Sequence, residues 1–219
     1  MLPLTDRTEA GRELAEALVH YRGQEKVLIL ALPRGGVPVA YEIAAVLHAP
    51  LDLVLVRKLG APGQRELAMG AIASGGIRVL NHDLIRTLSV TKRDIERVAE
   101  QEQRELERRE AAYRGDRPRP AIGGRTVILV DDGVATGATM RAAIASLRQQ
   151  HPARIVIALP LAPASTVATL AREADEVICL HSPEPFVAIG RWYQDFGQVS
   201  DRDVQALLTR AWENHTGRC

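Results

Sequence analysis

Aromatic side chains are scarce in this 219-residue chain, which has two Phe, four Tyr and two Trp. A core with so few rings must be filled by Val, Ile, Leu and Ala, the composition of buried strands and the helices that cover them. Four of the eight rings, Phe186, Trp192, Tyr193 and Phe196, fall in one eleven-residue window. Cysteine is nearly absent. Cys179 and Cys219 allow at most one bridge, and no Cys/His spacing is of metal-site type, which excludes a disulfide scaffold and fits a reducing cytosol with both thiols as bystanders. An excess of charge is missing too: 28 Lys and Arg stand against 27 Asp and Glu, a net charge of +1. That balance argues against a strongly electrostatic binder of nucleic acid or membrane surfaces.

No long apolar run is present. The longest uncharged stretch, residues 155–171, contains Pro160, Pro163, Ser165, Thr166 and Thr169 and reads as strand, turn and helix, not as a membrane span. The first residues, MLPLTDRTEAGRELAEA, carry charges every few positions and no apolar signal region, so the expected location is cytoplasmic. There is no GxSxG, and the six His are dispersed, which leaves a hydrolase reading without support. With 46% apolar and 25% charged residues the chain is ordinary globular material, sized for a single domain over 1–219.

Asp6-Arg-Thr-Glu9 has the form of a capping box, and Ala10, Leu14, Leu18 and Tyr21 continue it as an amphipathic helix that Gly23 is placed to end. Residues 27–32 (VLILAL) form a short, continuous apolar run, as expected of a strand buried on both faces. The loop Pro33-Arg-Gly-Gly36, a helix at 37–47 and a second strand at 51–56 complete a βαβ unit. Further apolar strands are read at 127–130, 154–159 and 176–180. The predicted fold class is α/β, a mainly parallel sheet of about five strands flanked by helices, with its core at 27–180.

An insertion at 59–116 differs in character. Residues 67–73 and 77–80, joined through Ser74-Gly75-Gly76, read as an antiparallel hairpin. Thr91-Lys-Arg-Asp94 then starts a helix running to about Arg114, ended by Gly115. Residues 92–114 carry seven basic and seven acidic side chains, and Glu100/Arg104 and Glu105/Arg109 have i,i+4 spacing, so this is a solvated, ion-paired helix. Its sparse apolar set, Ile95, Val98, Ala99 and Leu106, predicts one edge resting on the domain or on a second subunit.

Chemistry concentrates at residues 127–139, VILVDDGVATGAT. A buried strand delivers Asp131 and Asp132 to its carboxyl end, where open α/β sheets bind ligands. Ala135, Thr136, Gly137, Ala138 and Thr139 then open a helix, so backbone N–H groups and two hydroxyls make an anion site. The Lys of a P-loop is missing, as is GxGxxG. A cradle for one phosphate beside two carboxylates that accept hydrogen bonds from a diol suits a ribose 5-phosphate.

This segment resembles the PRPP-binding motif of the type I phosphoribosyltransferases. The resemblance implies that family's fold, transfer of ribose 5-phosphate from PRPP to a nitrogen nucleophile such as a nucleobase, and Mg²⁺ as cofactor, held mainly by PRPP and water with no direct protein ligand. It assigns the 5-phosphate to residues 135–139 and the ribose hydroxyls to Asp131 and Asp132. Pro33-Arg34-Gly35-Gly36 is similar to the family's pyrophosphate loop. Arg57 and Lys58 at the end of the second strand are expected to pair with pyrophosphate, and with Asp131 and Asp132 they form the expected catalytic set. Residues 59–76 are similar to a mobile loop that closes over PRPP. Family enzymes acting on 6-oxopurines usually carry Asp just before the Thr-Gly; here that residue is Ala135, which counts against such an acceptor.

Residues 181–219 are expected to form a small hood with a C-terminal helix at 200–212. Within it Phe186, Trp192 and Tyr193 are candidate contacts for a planar base, while packing of the C-terminal helix would use the same rings. A PRPP-binding or nucleotide-binding regulator without turnover is the alternative to an enzyme, and a homodimer is expected from the charged helix and hairpin.

Overall fold

Apolar runs that alternate between two cores build the central sheet. The computed structural model describes residues 2–216; Cys219 lies outside them. Strand β1 (Val27–Ala31) is buried along its whole length. Val27, Ile29 and Ala31 face one apolar cluster while Leu28, Leu30 and Leu32 face the other, which is why the strand shows no polar alternation. With β2 (Leu51–Leu53), β6 (Thr126–Val130), β7 (Arg154–Leu161) and β8 (Glu176–His181) it forms a five-stranded, all-parallel sheet in the order β2-β1-β6-β7-β8.

After β1 the chain crosses through α2 (Gly36–Leu47) to β2 on one side, and β6 lies on the other. The strand order therefore reverses between β1 and β6, and the loops leaving their carboxyl ends part at a crevice, the usual ligand position in such sheets. Helix α1 (Arg7–Ala17) packs on α2, while α5 (Ala138–Arg148) and α6 (Ala164–Leu170) cover the opposite face. Asp6 caps α1 as predicted, accepting from the Glu9 amide at 2.8 Å. The helix ends at Ala17, before Gly23, and a 3₁₀ turn at Val19–Tyr21 intervenes.

The second predicted strand, 51–56, is in fact two. β2 stops at Leu53, and β3 (Val56–Ala61) begins a separate antiparallel sheet, β3-β4-β5, with β4 (Gln64–Ala73) and β5 (Ile77–Leu80). Val54 and Leu55 are buried in the joint, so the apolar run continues through the break and conceals it. Arg57 and Lys58 accordingly lie within β3, not at a strand end. Residues 59–76, read as a mobile loop, form most of this ribbon, anchored by fully buried Leu59, Met69 and Ile72. The β4-β5 hairpin follows the predicted pairing, and a short helix α3 (His82–Thr87) precedes α4 (Lys92–Arg114).

α4 has the predicted bounds, with Thr91 as N-cap and Gly115 as C-cap. Ala99 and Leu106 are fully buried against the chain's own core, and Glu105 pairs with Arg108 at 2.9 Å and Arg109 at 2.8 Å on the exposed face. Its last turn is pinned by buried charges: Arg114 donates to Asp52 at 2.6 Å and to Glu110 at 2.8 Å. α7 (Asp201–Thr216) packs on α2, α4 and β2 through buried Val204 and Leu208, and Trp212 Nε1 donates to the Leu51 carbonyl at 2.9 Å. Most of α7 therefore packs away from the crevice, and the C-terminal residues that reach it are those of segment 182–200 and the first residue of α7, Asp201. No helix among the described residues is long and apolar enough to cross a membrane.

Candidate active site

The two sequence-predicted loops meet at the crevice. A Cβ built on Gly35 would stand 2.0 Å from Asp132 Oδ2, and one on Gly36 would stand 2.7 Å from the Val130 carbonyl and 2.9 Å from the Asp131 Cα. Only residues without side chains let the start of α2 approach the acidic pair so closely. The intervening Pro33–Arg34 peptide is cis. Gly35→Ala is expected to force the Asp132 carboxylate or the loop aside, at a cost of about 1–3 kcal/mol in stability. Its effect on ligand affinity should exceed what the lost stability explains; thermal melts paired with phosphate-ester binding measure the two separately.

The acidic pair is electrostatically tense. Burial, and after it the neighbouring Asp132 charge, push the Asp131 carboxyl well above the usual carboxylate range. Asp131 Oδ1 accepts from the Asp132 amide at 2.9 Å, and Asp132 Oδ2 accepts from Arg7 Nε at 2.8 Å. Behind them the Tyr193 hydroxyl donates to the Asp132 carbonyl at 2.7 Å. Burial, with the Asp132 charge, drives this phenol far up from its ordinary value, so it stays a donor across the physiological pH range.

The small-residue loop is open to solvent at Ala135, Thr136, Ala138 and Thr139. The helix starts two residues earlier than predicted, at Ala138, with Gly137 as N-cap at φ +76°, a left-handed conformation suited to glycine. No side chain caps this end, so the amides of its first turn have no intrahelical acceptor and are available to an anion. Thr166 of α6 donates to the Ala135 carbonyl at 2.7 Å and holds the loop from behind.

The two predicted cations differ in their partners, although both lie near Glu102 of α4. Arg57 pairs with Glu102 of α4, whereas Lys58 is exposed and lines a cavity of about 530 Å³ with Ala138 and Arg141 of α5. Arg34, 40% exposed, lies 3.7 Å from Asp201 at the start of α7. Of the three predicted base-contact rings, Phe186 and Trp192 are half-buried and belong to one small apolar cluster. Tyr193 is buried, stacked on Phe196 with centroids 5.0 Å apart, and anchors the acidic segment from below. Ile189 of the same segment lies against Gly133.

Arg7 and Thr166 escaped the sequence reading. Arg7 lies 125 positions from Asp132, and nothing in the local pattern around it signals the contact. Thr166 sits in an ordinary helix after a proline.

A five-stranded parallel sheet carrying these two loops at its switch point is the type I phosphoribosyltransferase fold that the sequence motif implied. The chain belongs to the phosphoribosyl transferase domain family, whose pattern matches residues 4–189. It is similar to TT1426 from Thermus thermophilus, whose crystal structure superposes with a TM-score of 0.85 at 46% identity, covering 94% of this chain and 98% of that one. A Mycobacterium tuberculosis protein whose name goes no further than phosphoribosyl transferase, in strains H37Rv and CDC 1551, is 47% identical over 206 residues. Those residues are 94% of this chain and 46% of the relative, so the chain spans about half the length of the curated relatives it matches.

Proposed function

We propose that this protein moves ribose 5-phosphate from PRPP to a nitrogen nucleophile, most simply a nucleobase, with release of pyrophosphate. The observation that carries the reading is the seating of Gly35 and Gly36 directly against Asp131 and Asp132, beside an uncapped helix start at residues 135–139. This closeness supports reading the two glycines as a diphosphate loop, the acidic pair as a diol acceptor and the helix start as a monophosphate cradle, the three parts PRPP needs.

In this reading Ala135, Thr136, Gly137, Ala138 and Thr139 hold the 5-phosphate through amides and hydroxyls. Asp131 and Asp132 accept from the 2′- and 3′-hydroxyls. Arg34 and the backbone of Gly35 and Gly36 hold pyrophosphate. Lys58, which shares a cavity with Ala138, would join them, and Arg57 would do so by leaving Glu102. The bond from C1 to the pyrophosphate oxygen breaks as the acceptor nitrogen bonds to C1 and gives up its proton. Positive charge at the ribose grows in the transition state, and the acidic pair lies near it. The protein's share is mostly position and electrostatics.

Asp131 and Asp132 are hard oxygen donors that suit Mg²⁺, but no group of three or more His, Cys, Asp or Glu assembles among the described residues. The donor set fits a cation brought in on substrate oxygens more than a resident one; bound there, Mg²⁺ would neutralise the leaving diphosphate. Phe186 and Trp192, which pack against the small cluster that holds Tyr193, are the proposed acceptor contacts. Ala135 leaves the position used for a 6-oxopurine without its carboxylate.

The test is incubation with PRPP, Mg²⁺ and a panel of nucleobases, reading pyrophosphate. Release that depends on one base is the expected result. PRPP binding with no release for any base would mark a PRPP-sensing regulator instead, and no PRPP binding would overturn both readings.

A further inference from the structure

Arg7, the first residue of α1, has no part in the reading above, yet its side chain reaches the centre of the site. Its Nε donates to Asp132 Oδ2 at 2.8 Å and its Nη1 donates to the Gly197 carbonyl at 2.8 Å. The guanidinium carbon lies 3.9 Å from the centroid of the Phe196 ring. The Arg7 and Asp132 side chains are each only 12% exposed. Three unlike partners, a carboxylate, a carbonyl and an aromatic face, leave this planar fork little freedom.

The backbone on either side is tied down as well. Asp6 caps the helix that Arg7 begins. Just before it, Leu4 pairs with the segment at Tyr193: its amide donates to the Trp192 carbonyl at 2.9 Å, and its carbonyl accepts from the Gln194 amide at 2.8 Å. The Asp195 amide donates to the Thr5 carbonyl at 2.9 Å. Residues 4–7 and 192–197 are thus joined edge to edge, and Arg7 and Tyr193 fasten the join to Asp132 from its side chain and from its carbonyl.

We propose that Arg7 is a positioning residue: it holds Asp132 by Oδ2 against the Gly35 backbone, leaving Oδ1 to meet a ribose hydroxyl, and it locks this carboxylate to the aromatic segment beside it. The inference rests on the phosphoribosyl reading above. Its physical basis is the crowding of two neighbouring carboxylates, whose like charges repel, so that a cation on one of them decides where it points. A guanidinium on one of them fixes its rotamer, so the pair presents acceptors to a diol. The contact to Gly197 and Phe196 means that the same guanidinium also sets where the acceptor segment lies relative to the ribose.

The experiment is PRPP affinity by calorimetry with Mg²⁺ for wild type, Arg7→Gln, Arg7→Lys, Asp132→Asn, and each Arg7 change combined with Asp132→Asn. Arg7→Gln is expected to weaken PRPP about tenfold, the loss of one charge-assisted hydrogen bond, and Arg7→Lys less. On top of Asp132→Asn neither change should weaken binding further, because the group through which Arg7 acts has already been altered. A merely structural arginine would cost the same in both backgrounds, and that additivity would overturn the proposal. So would unchanged or tighter binding by Arg7→Gln, which would mean that the guanidinium only obstructs the site. Thermal melts accompany each variant; where Arg7→Gln does not fold, Arg7→Lys is held to the same two comparisons. A wild type that takes up no PRPP sinks the phosphoribosyl reading and this inference with it, whereas normal wild-type binding with additive losses sinks only the role of Arg7.

Discussion

Replacing Asp131 and Asp132 together by Asn is expected to weaken PRPP binding by about 10²–10⁴-fold. Each carboxylate offers a charge-assisted acceptor worth about 1.5–3 kcal/mol, and about 1.4 kcal/mol is a factor of ten. Calorimetry reads the loss directly, and unchanged affinity would remove the assignment of these residues to the ribose. The single change Asp131→Asn should lower affinity while raising the melting temperature at pH 7–8. Burial and the Asp132 charge raise the Asp131 carboxyl above its unfolded value, so the folded chain binds that proton more tightly than the unfolded chain. Stability therefore falls as pH rises above the ordinary carboxylate range, and a neutral side chain removes the penalty. Affinity and stability moving in opposite directions is the behaviour of a residue kept for function at a cost to the fold.

The largest effect on stability is expected at Arg114. Its side chain is 4% exposed and lies between Asp52, 10% exposed, and Glu110, 8% exposed. Arg114→Met leaves Asp52 buried without its cation, while Glu110 keeps Arg119, which donates to both of its oxygens at 2.6 Å. Removing one partner of a buried pair costs about 3–5 kcal/mol, enough to release the end of α4 from β2. Burial already raises Asp52 in spite of Arg114. Without the guanidinium the folded state would bind the Asp52 proton more tightly still, so lowering the pH from 8 to 5 should restore part of the lost stability relative to wild type. Denaturant unfolding at the two pH values checks this, and a loss that does not shrink at pH 5 would mean that the buried charge is not its cause.

The parts of the fold legible in the sequence are those set by neighbours along the chain. Val27–Ala31 is continuous because both faces of a parallel strand are covered, and Thr91 and Gly115 mark the ends of α4 because capping is a matter of a few residues. The same locality explains the errors. Val54 and Leu55 are buried where two sheets meet, and an apolar run has no mark for the change of sheet. Arg57 and Lys58 are adjacent in sequence, but Arg57 is paired with Glu102 while Lys58 is exposed beside cavities that reach both α4 and α5. The rings at 186–196 were visible as a cluster, but not that Tyr193 is buried under Asp132 while Phe186 and Trp192 stay half-covered.

By itself the sequence determined the class of this protein: an acidic pair after a buried strand and a Thr-Gly loop opening a helix are local chemistry, encoded in thirteen consecutive residues. Tertiary structure alone decided what surrounds that motif. Gly35 reaches Asp132 because β1 and β6 are neighbours whose connections leave in opposite directions. Arg7 reaches it because residues 4–7 are zipped to 192–197. Such contacts join residues up to 190 positions apart, and their energy is gained only when the sheet and both ends of the chain are assembled, so no local pattern announces them.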